Sequence, residues 1–283
     1  MSSVRGKVAV VTGAGSGIGR ALALELARRG ARPALSDVDD AGLAETAERV
    51  EALGVAVHAA HLDVGDRAAV ETYAATVAEH FGVVHQVYNN AGIAGGGRTA
   101  LESDWDVYDR VLRVNLFGVI HGTKAFLPHL IASGDGHVVN VSSLNGYFAQ
   151  PTLTAYCASK FGVRGFTEAL RTEMLAAGHP VRVTAVHPGG VRTNIARATE
   201  AEARAQGLEL TPQQEARVRA YDAKLLRMPA DQAARIVVNG VEAGSPRVRV
   251  GTDAKLADVV ARLFPRLYPR LSVVLERRLF GRA

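Results

Sequence analysis

The sequence predicts an α/β fold: a Rossmann-type, doubly wound parallel sheet of about seven strands, with helices on both faces, in a single domain. Three observations carry this. Short β-branched runs alternate with amphipathic stretches of helical period. Glycine closes several of those stretches, as it does at helix ends. No linker, low-complexity tract or internal repeat breaks the rhythm before about residue 190.

In order, KVAVVTG (7–13) is a short apolar strand ended by glycine. GIGRALALELARRG places apolar residues at helical spacing and stops at Gly30. RPALSDVD (32–39) is a second strand, 41–54 a helix ending at glycine, and VAVHAAHLDV (55–64) a third strand. A helix over about 67–81, a strand at VVHQVYNNAG and a long helix around 108–130 continue the alternation. The strand GHVVNVSS, a helix beginning near Tyr156, the strand VRVTAVHPG and a late RVRVG complete the order. Strands separated by helices pair in parallel through right-handed crossovers. Two segments depart from the rhythm: an Ala/Glu/Arg-rich insertion at 192–230 and a basic tail at 255–283. The expected division is therefore a catalytic domain at 1–254, the insertion forming a substrate lid, and a C-terminal extension at 255–283.

The 283 residues are 48% apolar and 22% charged, which fits a soluble globular protein. No apolar run is long enough to span a bilayer, and the first residues lack a signal-peptide layout. One cysteine, Cys157, excludes an intrachain disulfide. Together these favour a cytoplasmic location, and no metal site is expected. The net charge of +5 is uneven: 255–283 hold seven Lys/Arg and two Asp/Glu, while 1–254 hold 26 of each sign. A nucleic-acid binder would spread a basic face over its folded body, so no nucleic-acid partner is expected.

TGAGSGIGR joins the first strand to the first helix. Its spacing is Gly13, Gly17, Gly19, not the G-x-G-x-x-G pattern, and no lysine followed by Ser/Thr closes it as a P-loop. Glycines there permit a tight turn and close approach to a pyrophosphate, and the helix N-terminus offers free N–H groups. Asp37 ends the second strand, about 20 residues on, where an acid hydrogen-bonds the ribose 2′-OH. A 2′-phosphate would meet like charge, with no adjacent base and with Ser16 in the loop, which favours NAD over NADP.

Four separated features agree: TGAGSGIG at 12–19, NNAG at 89–92, Ser143 after a strand, and YCASK at 156–160. Together with Asn115 in RVNLFG and HPGGVRT at 187–193, they resemble the short-chain dehydrogenase/reductase family over roughly 5–254. The resemblance implies an oxidoreductase of alcohols or ketones, working as a homotetramer or homodimer. It implies Tyr156 as catalytic acid/base, Lys160 as the residue that binds the nicotinamide ribose and lowers the tyrosine pKa, Ser143 as the holder of the substrate oxygen, and Asn115 as the keeper of a relay water. For the cofactor it implies Gly13, Ser16, Gly17, Ile18 and Gly19 at the phosphates, and Asp63 and Val64 at the adenine. Asn90, Ala91 and Gly92 would line the adenosine side; Pro188, Gly189, Val191 and Thr193 would flank the nicotinamide.

The residue chemistry points the same way. Oxidising an alcohol requires a base for the hydroxyl proton, and an unperturbed tyrosine is a poor one near neutrality. Lys160 lies one helical turn from Tyr156, and a nearby cation favours the phenolate. A non-catalytic dinucleotide-binding sensor on the same fold is the alternative, as is an NADP-dependent ketoreductase.

LNGYFAQ after Ser143 is expected to wall the substrate pocket, with Asn145 and Tyr147 in contact and an apolar substrate favoured. In the tail, FPRL and YPRL repeat, and Pro265 and Pro269 forbid a single helix. Arginine and leucine recur every four residues there. Packing over the active site or a neighbouring subunit is favoured for it over an anionic membrane surface.

Overall fold

Seven parallel strands form one sheet in the order β3-β2-β1-β4-β5-β6-β7. The structure is a computed structural model and describes residues 3–95, 97–193 and 225–280. Most of the expected lid, 194–224, lies outside the described residues. The strands are β1 (Val8–Thr12), β2 (Arg32–Asp37), β3 (His58–His61), β4 (Gln86–Asn89), β5 (Gly136–Val141), β6 (Val181–Pro188) and β7 (Arg247–Val250). The helices are α1 (Gly17–Arg28), α2 (Asp40–Glu51), α3 (Arg67–Phe81), α4 (Trp105–Leu112), α5 (Gly118–Ala132), α6 (Thr154–Ala176), α7 (Ala230–Glu242), α8 (Thr252–Leu263) and α9 (Tyr268–Phe280).

Alternate residues along each strand feed opposite faces of the sheet, so a two-sided core needs near-continuous apolar strands. Ala9, Val11, Val139 and Val186 pack with Leu22 and Leu26 of α1 and Val237 and Val241 of α7. Val10, Val87, Val138 and Val183 pack with Val70 and Val77 of α3, Phe126 of α5 and Leu170 of α6. The doubly wound architecture is therefore as the alternation predicts.

Three boundaries differ from expectation. The third strand is four residues long, because only His58–His61 pairs with Ala34–Asp37. The long fourth helix begins at Trp105 and is interrupted by a π-helical turn at Arg113–Phe117. The boundary drawn at residue 254 falls inside α8. The prolines of the tail do break the helix: α8 ends before Pro265, and Pro269 takes the first turn of α9, where a missing N–H costs nothing.

The strand order reverses direction between β1 and β4, which flank one another. A crevice opens beyond the carboxyl ends of strands at such a point, and ligands bind there.

Candidate active site

The loop after β1 is shaped by contacts that exclude side chains. Gly13 has φ +66°, and a Cβ on it would come 2.7 Å from Ala91 Cα. A Cβ on Gly19 would overlap the Gly13 carbonyl oxygen. Ser16 occupies the cap of α1 in extended conformation, yet its side chain makes no cap bond. The first-turn N–H groups, which no helix satisfies internally, thus stay available to an anion. Gly17, at φ +52°, faces Thr193, whose Cγ2 would lie 3.2 Å from an added Cβ.

The loop is pinned from both sides. Asp37 Oδ2 accepts from the Gly15 N–H (2.7 Å), and Asp37 forms no ion pair among the described residues. Arg20 donates to the carbonyls of Gly15 and Gly42 and to Thr46 Oγ1. Thr12 ties the loop to β4: its Oγ1 accepts from the N–H groups of Asn90 and Ala91, both at 3.1 Å. Asn90 Nδ2 returns a bond to the Thr12 carbonyl at 2.9 Å. Residues 12–19, Asp37 and 89–92 form one continuous cradle with a floor of glycine and backbone.

Asp63 and Val64 lie after β3. Burial draws the Asp63 carboxyl upward, but bonds from Arg113 (2.7 Å) and the Gly65 N–H (2.8 Å) hold it below the usual carboxylate range. Val64 is buried, and its carbonyl meets His121 Nδ1 at 3.0 Å.

The π-helical turn places Asn115 in a buried position. Its Oδ1 accepts from the Ile93 N–H (2.8 Å), and its Nδ2 donates to the Ile93 carbonyl (2.9 Å). The side chain therefore clamps the segment that follows Gly92. A Cβ on Gly92 would lie 3.2 Å from Asn115 Oδ1 and 3.5 Å from Lys160 Nζ, so these three converge.

Lys160 is buried in α6, and its Nζ donates to the Val141 carbonyl at the end of β5 (3.1 Å). Desolvation lowers its pKa to about 8. The ammonium sits 5.7 Å from the centre of the Tyr156 ring, and Tyr156 is half-buried.

The two serines after β5 are chemically distinct. Ser142 spends its proton on the Lys160 carbonyl (2.8 Å). Ser143 Oγ accepts from the Asn145 N–H (3.1 Å) as cap of the turn Leu144–Gly146, an arrangement in which its own proton can be donated elsewhere.

Asn145 and Tyr147, expected in contact with substrate, direct their polar groups into the fold. Asn145 Nδ2 donates to the Phe148 carbonyl (3.0 Å) and Gln150 Oε1 (2.9 Å). The buried Tyr147 hydroxyl donates to the Ala254 carbonyl in α8 (2.6 Å). Both brace the wall from within. Tyr147→Phe removes that buried hydrogen bond and is expected to cost about 1 kcal/mol in denaturant unfolding. Cys157 is buried, and burial pushes its thiol up, away from nucleophilic use.

Sequence reasoning missed His187 and Asp253. His187 Nδ1 lies 2.9 Å from the Ser143 carbonyl, and its ring packs 4.9 Å from that of Tyr147. Burial lowers its pKa to about 4, so the neutral imidazole donates that bond near neutrality. Asp253 Oδ2 accepts from the Gly190 N–H (2.6 Å), beside Pro188, Gly189 and Val191. Val191 bridges Met228, and the Arg192 N–H reaches the Met228 carbonyl (2.8 Å), closing the base of the insertion. The motif HPGG was visible in the chain, but the partners of its residues lie 44 and 63 positions away.

The family described as short chain dehydrogenase matches residues 7–204. The chain belongs to the short-chain dehydrogenases. As a member of that family it is an oxidoreductase of alcohols and ketones. The SadH protein of Mycobacterium tuberculosis (strain H37Rv) is 53% identical over 272 residues, covering 96% of this chain and 95% of SadH. A short-chain dehydrogenase/reductase from Burkholderia phymatum, solved in complex with NAD, superposes with a TM-score of 0.86 at 34% identity. The match covers 93% of this short-chain dehydrogenase and 95% of the Burkholderia chain. Carveol dehydrogenase from Mycobacterium avium, also solved with NAD, gives a TM-score of 0.77 at 28% identity, over 90% of this chain and 100% of that one.

Proposed function

We propose that this chain is an NAD(H)-dependent oxidoreductase interconverting a largely apolar secondary alcohol and its ketone, with Tyr156 as general acid/base. The observation that carries the reading is the meeting of Lys160, Asn115 and Gly92, one helical turn from Tyr156. The cradle suits a dinucleotide because its walls are glycine and backbone and no side-chain cap takes the first-turn N–H groups of α1.

The phosphates would rest on Gly13, Ser16, Gly17, Ile18 and Gly19, and the adenosine against Asp37, Asp63, Val64, Asn90, Ala91 and Gly92. Tyr156 and Lys160 would hold the nicotinamide ribose, and Pro188, Gly189, Val191 and Thr193 would flank the ring. When bound, the nicotinamide takes or gives the hydride. The remaining chemistry is the chain's own. In oxidation the Tyr156 phenolate accepts the substrate's hydroxyl proton, and in reduction the phenol returns it. The Lys160 cation favours the phenolate. Ser143 donates a hydrogen bond to the substrate oxygen as negative charge builds on it. Two relatives solved with NAD, and the uncompensated charge of Asp37, support NAD over NADP.

The test is NAD⁺ reduction over secondary alcohols graded in size and polarity, from short acyclic alcohols to terpenoid alcohols and steroids. Turnover should rise with apolar bulk. Undiminished NADH binding with no turnover on any of them would favour the sensor instead. Asp37→Ser is expected to weaken NADH binding by about tenfold or more and to spare NADPH, measured as two dissociation constants. A wild-type preference for NADPH would overturn the reading of Asp37.

A further inference from the structure

The C-terminal extension is built inside out. The residues that α8 buries are Ala254 and Asp258, and α9 buries Ser272. Asp258 is held by Arg249 (3.2 Å) and Arg262 (2.7 Å), and Ser272 by the Ala149 carbonyl (3.0 Å). Leu256, Val259 and Leu263, spaced three and four residues apart along one face of α8, are 65%, 45% and 67% exposed. Phe264, Leu267 and Leu271 prolong that exposed apolar surface into α9. An exposed apolar face of this extent marks a contact with another apolar phase.

Charge decides which phase. Arg266, Arg270, Arg277 and Arg278 are exposed and form no ion pair among the described residues. A second copy docking by the same face would set these arginines against their own kind. An anionic lipid surface satisfies both demands: headgroup phosphates accept the guanidinium groups, and the acyl boundary takes the leucines. No helix among the described residues is long and apolar enough to cross a membrane, so the segment lies on it.

We propose that α8 and α9 dock this protein on the surface of an anionic phospholipid bilayer. The cleft then opens beside the bilayer, because α8 starts at the Asp253–Gly190 bond and Tyr268 packs 5.2 Å from Phe148 of the substrate wall. Resting on the reaction proposed above, this lets an apolar alcohol reach the cleft from the lipid without crossing water.

The full-length chain should co-sediment with vesicles of phosphatidylcholine and phosphatidylglycerol, less so as salt rises, and not with phosphatidylcholine alone. Arg266→Gln/Arg270→Gln/Arg277→Gln should weaken that binding on the order of a hundredfold. Leu256→Asn/Leu263→Asn should also weaken it. NADH binding, unchanged in both variants, verifies that they fold. Equal binding to both vesicle types, or none, would overturn the proposal. So would a protein whose Leu256→Asn/Leu263→Asn variant falls apart from an oligomer, since a second copy would then cover this face. The assay uses no substrate, so its failure and failure of the reaction assignment are separate results.

Discussion

Tyr156→Phe is expected to lower kcat by about three orders of magnitude while changing the NADH dissociation constant by no more than about twofold. The ring stays, so its packing beside Lys160 survives, and only the ionisable oxygen goes. Without it no group on α6 can take the alcohol proton: Ser159 Oγ donates to the Tyr156 carbonyl (2.7 Å), and Cys157 is a buried thiol held in its protonated form. Lys160 cannot stand in, since its Nζ is tied to the Val141 carbonyl. Steady-state oxidation rates and a fluorescence titration with NADH, run on the same preparations, separate the two quantities. Unchanged turnover would refute Tyr156 as the acid/base.

Lys160→Met is expected to uncouple activity from stability. The buried ammonium is harder to protonate in the folded chain than in the unfolded one, with its pKa lowered from 10.5 to about 8. Such a group destabilises the fold below about pH 8, and the penalty fades as pH rises from about 8 toward 10.5. Its size is ~3 kcal/mol at pH 7, against ~1 kcal/mol for the lost hydrogen bond to Val141. Methionine, of similar length and uncharged, should therefore raise Tm by several degrees at pH 7 and bring no gain at pH 10. Turnover should meanwhile drop by about a hundredfold or more, because nothing then favours the phenolate. Calorimetry at both pH values with kcat checks this, and a lower Tm at pH 7 would show that the lysine is a net structural asset.

What could be read from the chain was what is local in it. The glycine loop, the strand-helix alternation and the Tyr156/Lys160 spacing each fit within one turn or one element. What could not be read depends on partners far along the sequence. Asn115 is marked in the sequence by its motif, RVNLFG, but its clamp on Ile93, 22 residues away, is not. His187 is unremarked until it meets the Ser143 carbonyl. The wall residues Asn145 and Tyr147 stand in LNGYFAQ, but the tertiary contacts that hold their polar ends are not legible there. The third strand was overextended because apolar character runs past the four residues that find a pairing partner. In the tail, helical period was visible, but period alone does not say which face turns inward, and there the polar one does.

The Tyr147–Ala254 and Asp253–Gly190 bonds carry a consequence for exchanging parts between relatives. Residues 251–280 do not form a detachable module, because their first turn is wired to the serine-bearing loop and to the glycine pair after β6. A chimaera that receives the extension alone would present Asp253 to a backbone lacking room for it, since a Cβ at residue 189 would collide with that carboxylate. A working graft has to transfer Tyr147, His187, Gly189 and Gly190 together with the two helices, as one inherited unit.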